Sequence, residues 1–195
     1  MGSSDSGSLQ EQILEAAKRL FIRHGYHGLS MRQIAEAVGV SKAALYYHFD
    51  DKEKLFLAIL DDNLTEIETL IGNVERRSQD SRERIRDFVR SILLLPAEKR
   101  AVIRLASQEM AELSAPARAA FERSYHEKFI DRVQNILETG VTRGELKPVD
   151  PGVATWSLLG MMYPYFYPVH AADIAPPEEV IGGMLTIFLD GIADR

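Results

Sequence analysis

Apolar residues recur along this chain at intervals of three and four, without the strict alternation of a half-buried strand, so the pattern predicts an all-α protein of about nine helices. The first stripe, Ile13, Ala16, Ala17, Leu20 and Phe21, follows Ser8 and Glu11, which are spaced for a capping box, and it should stop near Gly25. Ser30 and Gln33 repeat that cap signature ahead of Met31, Ile34, Ala35 and Val38. Gly39 should close this second helix in the left-handed conformation, and Ser41 can cap a third at once, with Leu45 and Phe49 as its inward residues. Two short helices around a glycine turn form a helix-turn-helix, and Lys42, Ala43, Tyr46, Tyr47 and His48 are left facing outward. Asp50 or Asp51 caps a fourth helix with apolar positions from Leu55 through Leu60, Leu64 and Ile67 to Ile71. Gly72 and the polar run 75–80 are expected to end it.

Five further helices follow. One runs from Asp80 or Ser81 to Leu95, stopped by Pro96, and another from Ala97 to about Leu113. Ser114 and Pro116 open a long helix reaching Thr139, after which Gly140, Gly144 and Pro148 mark a loop. Asp150 then caps a helix with Pro151 in its first position, and Pro164 should kink or end it. The last helix spans Pro177 to about Ala193. Both final helices are apolar on more than one stripe, so each must bury more than one stripe. A second copy of the chain would supply the cover, and Gly160 with Gly182 and Gly183 would allow close approach.

Composition narrows the function classes. The chain is 46% apolar, with no uninterrupted apolar run near the ~18 residues of a membrane span and no charged-then-apolar leader. It has no cysteine, which excludes disulfides and thiolate metal sites and fits a cytoplasmic protein. The net charge of −6 argues against DNA until it is divided. From Lys18 to His48 the chain carries Lys18, Arg19, Arg23, Arg32 and Lys42 against Glu36, a net +4, so the remainder carries −10.

A basic module of this kind suits the third helix to a DNA major groove. Ser41 and the N–H groups at the helix start can meet a phosphate, and Lys42 adds charge. Small Ala43 and Ala44 permit close approach to base edges, and Tyr46, Tyr47 and His48 can donate to phosphates or bases. Ser30 and Arg32 complete the DNA-binding set. An enzyme finds little support: His24 and His27 do not share a helix face, and no phosphate loop or nucleophile motif is present. No catalytic residue, metal site or cofactor is predicted.

The stretch Ser30, Ile34, Ala35, Gly39, Val40, Ser41, Leu45, Tyr46, His48, Phe49, Lys52, Glu53 and Leu55, with Ile13, Ala16, Ala17, Leu20, Phe21 and Gly25 before it, resembles the DNA-binding domain of TetR-family bacterial regulators. The match covers about a quarter of the chain and fixes residue type and spacing across four helices. It implies a flexible tail over 1–7, a helix-turn-helix domain over 8–54, and an effector-binding and dimerisation domain over 55–195. A cation at a helix N-terminus is locally unfavourable, and the resemblance implies that Lys52 contacts a phosphate there.

The resemblance also implies that the final two helices pair between subunits, with Trp156, Gly160, Tyr167, Ile181, Met184, Leu185 and Phe188 as interface candidates. A small, hydrophobic effector would be lined by Phe88, His126, Trp156, Met161, Met162, Tyr163 and Phe166, with Tyr125 as a further polar handle. The function implied is a ligand-responsive repressor that binds a pseudo-palindromic operator as a homodimer, with no membrane partner. A ligand-independent DNA-binding or interaction module is the alternative.

Overall fold

The computed structural model describes residues 8–166 and 176–192. Within them the chain is helical: α1 Leu9–His24, α2 Met31–Val38, α3 Lys42–His48, α4 Lys52–Arg77, α5 Ser81–Leu93, α6 Ala97–Glu109, α7 Ala115–Tyr125, α8 Asp131–Thr142, α9 Pro151–Met162 and α10 Glu178–Ile192. A π-helical turn, His126–Ile130, joins α7 to α8, so the pair forms the single long helix that the sequence predicts and the expected number of nine is met among the described residues. No strand occurs among them. Contacts divide the chain into two units. The first takes the residues up to Asp62 together with Leu105–Phe121, and the second takes Asn63–Arg104 and the residues from Glu122 onward. The segment 105–121, expected with the C-terminal part of the chain, therefore lies with the helix-turn-helix.

Local signals set the ends of the first helices. Ser8 and Glu11 form the reciprocal capping box of α1, and Ser30 and Gln33 form that of α2. Gly39 closes α2 at φ +80°, ψ +27°, a conformation that costs a residue with a Cβ roughly 1–2 kcal/mol. Asp51 caps α4, its Oδ1 accepting from the Lys54 N–H at 2.7 Å. The first unit buries Ile13, Ala17, Phe21, Ile34, Ala35, Leu45, Phe49, Leu55, Phe56 and Ile59. Phe56 meets Phe21 and Tyr26 edge to face, with 5.1 Å between ring centroids in each case.

In the second unit one cluster joins Ile67, Ile71 and Val74 of α4 to Phe88 and Ile92 of α5, Val133 and Leu137 of α8, Leu158 and Met162 of α9, and Ile181, Leu185 and Phe188 of α10. Gly72 does not end α4, which continues to Arg77. Its far end is held from outside: Arg132 pairs with Glu68 and Glu75, and Arg84 donates to the Ser78 and Glu75 carbonyls at 2.8 and 3.0 Å. Arg84 thereby satisfies the Glu75 carbonyl in the last turn, and the helix ends inside the polar run 75–80 rather than at Gly72.

Gly140 likewise lies inside α8, although its position predicted a loop. A Cβ there would sit 2.7 Å from Leu146 Cδ1 and 2.9 Å from Ser81 Cβ, both residues being fully buried. Mid-helix Gly→Ala ordinarily stabilises by about 1 kcal/mol. Here Gly140→Ala should instead destabilise by about 1–3 kcal/mol through overpacking, read as a lower urea midpoint at unchanged m. A variant at least as stable as the parent would show that Leu146 yields freely.

Candidate functional site

Helix α3 is seven residues long, and its two anchors, Leu45 and Phe49, are buried. Ser41 caps it, its Oγ accepting from the Ala44 N–H at 3.0 Å. That leaves Lys42, Ala43, Tyr46 and Tyr47 outward, while Ala44 and His48 are half-buried. Tyr47 is 85% exposed, and its ring stands edge-on to His48 at 5.1 Å. The Lys42 ammonium lies 5.6 Å from the centre of the Tyr46 ring. Arg32, on the exposed face of α2, has only a loose ion pair with Glu36 at 3.7 Å. Arg32, Lys42 and Tyr46 are thus available to an external anion, and Ala43 leaves room for its approach.

Two members of the predicted set are engaged otherwise. Ser30 Oγ accepts from the Gln33 N–H at 3.3 Å and donates to Gln33 Oε1 at 2.8 Å, so its single proton is used within the cap. Lys52 Nζ donates to the carbonyls of Tyr26 at 2.8 Å and Leu29 at 3.0 Å, and lies 4.1 Å above the Tyr26 ring. Two of its three protons are therefore spent inside the domain, and the third is left for another acceptor.

Other contacts of this unit have no local signature in the sequence. The Ser114 N–H and Oγ donate to the two carboxylate oxygens of Glu53 at 2.7 and 2.9 Å, and His27 Nε2 meets the Glu112 carboxylate. Segment 105–121 is thereby fastened to the first turn of α4 and to the connection between α1 and α2. Burial raises the Tyr26 pKa, and the carboxylates of Glu53, Asp51 and Glu112 raise it further, which places that acidic group around the same connection.

Residues 13–59 match the family model described as bacterial regulatory proteins, tetR family, and residues 78–165 match one described as tetracyclin repressor-like, C-terminal domain. The transcriptional regulator RutR of Escherichia coli strain K12 is 30% identical over 174 residues, covering 89% of this chain and 78% of that protein. This chain belongs to the TetR family. TetR-family proteins are transcription regulators, and the relationship extends through both units. The repressor AcnR of Corynebacterium efficiens is 52% identical over 50 residues, but the match spans only 27% of its length and 26% of this chain. Among solved structures, AibR in complex with isovaleryl coenzyme A and operator DNA superposes with a TM-score of 0.75 at 30% identity, covering 91% of this chain and 96% of that one.

The residues expected to bind a TetR-type effector take different places in the second unit. Phe88, Met162 and Phe166 are core residues of the second unit, and Met161 packs against that core. Trp156 and Tyr163 are 54% and 51% exposed, and His126 stands at the surface 3.9 Å from the Asp131 carboxylate. Of the interface candidates, Ile181, Met184, Leu185 and Phe188 are consumed by the chain's own core, and Tyr167 lies outside the described residues. The apolar face left over consists of Val153, Trp156, Gly160 and Tyr163 on one side and Val180, Gly183 and Ile187 on the other. A groove of about 270 Å³ lined by Val149, Val153, Ala154, Met161, Ile187 and Phe188 runs along it. No described helix is long and apolar enough to cross a membrane.

Tyr125, at the entrance to the π turn, packs 5.4 Å from the Phe129 ring, and Phe129 lies 6.0 Å from Phe88. Burial, with a smaller contribution from Tyr163, pushes the Tyr125 pKa up to about 12. An unfolded tyrosine ionises near 10, so between pH 10 and 12 the unfolded state binds fewer protons and stability falls as pH rises. Tyr125→Phe should remove that contribution, up to ~3 kcal/mol at the top of the window. Urea midpoints of parent and variant at pH 8 to 12 check this; curves that stay parallel throughout would refute it.

Proposed function

We propose that this chain is a ligand-responsive repressor that binds a pseudo-palindromic operator as a homodimer and is released by a small, hydrophobic effector. The observation that carries the DNA reading is the division of α3 into two faces, with Leu45 and Phe49 anchored and Lys42, Ala43, Tyr46 and Tyr47 presented outward. Arg32 joins them from α2. Lys42 and Arg32 supply the sequence-independent phosphate attraction, and Ala43 with Tyr46 and Tyr47 meets the base edges and sugar-phosphate walls. The match to AcnR, named a repressor, supports the direction of regulation, and AibR, crystallised with both isovaleryl coenzyme A and operator DNA, supports a double role.

The dimer reading is supported by the uncovered apolar residues of α9 and α10. Trp156 at 54% and Ile187 at 70% exposure are large hydrophobic surfaces that a second copy would bury. Two copies related by a two-fold axis would offer two α3 helices to half-sites about 34 Å apart. An effector would release the operator by favouring a different separation of those helices, and it acts only through its preference for one separation over the other.

Selection of bound duplexes from a random pool by the purified protein tests this reading. An inverted repeat is expected. On the selected duplex, Arg32→Met and Lys42→Met should each lower the slope of log K against log salt by about 1.8, one phosphate contact being lost in each of the two subunits, and Tyr46→Phe should weaken binding without unfolding the protein. Recovery of no consensus, with salt slopes identical in parent and variants, would sink the operator reading.

A further inference from the structure

We propose that Glu53 is a positioning residue for operator binding: its carboxylate, seated on the start of α7, locks residues 109–114 as a brace along the connection between α1 and α2. The inference rests on the operator reading above and concerns how the α2–α3 pair is held for that task.

The Ser114 N–H donates to Glu53 Oε1 at 2.7 Å and the Ser114 hydroxyl donates to Oε2 at 2.9 Å, so both carboxylate oxygens are engaged. The same hydroxyl accepts from the Ala117 N–H at 3.4 Å, which makes Ser114 the cap of α7. A carboxylate is favoured at this end of a helix by the partial positive charge there, and hydrogen bonds to an ionised acceptor are about twice as strong as neutral ones. Glu53 lies in the first turn of α4, so the grip joins two helix starts 61 positions apart. Leu113 and Ala117, on either side of Ser114, are buried, so Glu53 holds an anchored segment and not a free loop.

The rest of the brace lies along the α1–α2 connection. His27 Nε2 meets the Glu112 carboxylate. Gly25, which closes α1 at φ +69°, leaves room for a second carboxylate: a Cβ there would stand 2.9 Å from Glu109 Oε1. Residues 109, 112 and 114 therefore reach both the connection that leads into α2 and the helix that follows α3. The His27 and Glu112 side chains are 70% and 40% exposed, and ion pairs of that kind contribute little on their own. The two-oxygen grip of Glu53 is what fixes the segment. A carboxylate repels phosphate, so a favourable contribution of Glu53 to operator binding has to come through position.

Glu53→Gln keeps the shape and an acceptor and removes the charge. By charge alone, a unit that meets a polyanion should bind as well or better without this carboxylate. The brace predicts the opposite sign. If the locked fraction of each subunit falls to about a half, a dimeric complex that needs both subunits locked loses about fourfold in affinity. On the selected duplex, at matched salt and well below the melting temperature of every variant, Glu53→Gln is expected to bind about fourfold more weakly. Its salt slope should stay that of the parent, because no phosphate contact is lost. Ser114→Ala should weaken binding similarly, and Ser114→Thr, which keeps the hydroxyl and the cap, should bind as the parent does. The double variant Glu53→Gln/Ser114→Ala should be no weaker than the weaker single one.

Glu53→Gln binding at or above the parent's affinity would overturn the proposal. So would losses that multiply in the double variant, or a Ser114→Thr protein as weak as Ser114→Ala. If Glu53→Gln does not fold, the two Ser114 variants decide on the same terms. A parent protein that selects no duplex would instead be a failure of the operator reading. Slow hydrogen exchange of the Ser114 amide in the parent then supports the lock, and exchange at the rate of an open loop overturns it.

Discussion

A helix of seven residues cannot hold itself in water, because nucleation consumes more conformational entropy than one further turn returns. Everything about α3 follows from that constraint. Its start is fixed by the Ser41 cap, its inner face by Leu45 and Phe49, and its entry by α2, which is itself only eight residues long and depends on the Ser30–Gln33 box and the left-handed Gly39. The outward residues can be chosen for recognition because none of the holding falls to them. Tyr47 illustrates the division: at 85% exposure it contributes almost nothing to the core and is free to meet a partner.

The same constraint explains which parts of the molecule could be read in advance. Caps, the αL glycine and the two anchors of α3 are local, and each is encoded within four residues of where it acts, so the sequence shows them directly. The contacts of Glu53 with Ser114 and of His27 with Glu112 join residues 61 and 85 positions apart, and nothing in either neighbourhood marks them. Lys52 gave a partial signal, since a cation at a helix start requires a partner, but nothing nearby in sequence marks the Tyr26 and Leu29 carbonyls, 26 and 23 positions away, as two of its acceptors. Gly72 and Gly140 show the converse failure. Glycine is a terminator only when no tertiary contact completes the next turn, and in both places other side chains decide the outcome.

The last two helices were legible in kind but not in detail. A helix apolar around its circumference announces that two of its faces are covered, yet it does not say which stripe faces the chain's own core. In α10 the stripe Ile181, Met184, Leu185 and Phe188 is used internally, leaving Val180, Gly183 and Ile187 outside. The aromatic cluster 156–167 is divided in the same way, with Phe166 inside and Trp156 and Tyr163 outside. Phe88, Met162 and Phe166, which composition offers as a ligand lining, also belong to the core of the second unit.

Adjacent residues at the start of α4 grip two different segments of the first unit. Lys52 holds the turn that leads into α2, and Glu53 holds Ser114 at the start of α7, whose continuation through the π turn belongs to the second unit. Neighbouring positions in one helical turn cannot move independently, so a displacement of the α7 start is felt at the entry to α2 unless the Glu53 contact breaks first. Each contact is a charge-assisted bond of about 1.5–3 kcal/mol, a scale comparable with the coupling free energies of about 1–3 kcal/mol typical of allosteric proteins. The loss of one such bond therefore lies within the range of free energies over which two sites are ordinarily coupled.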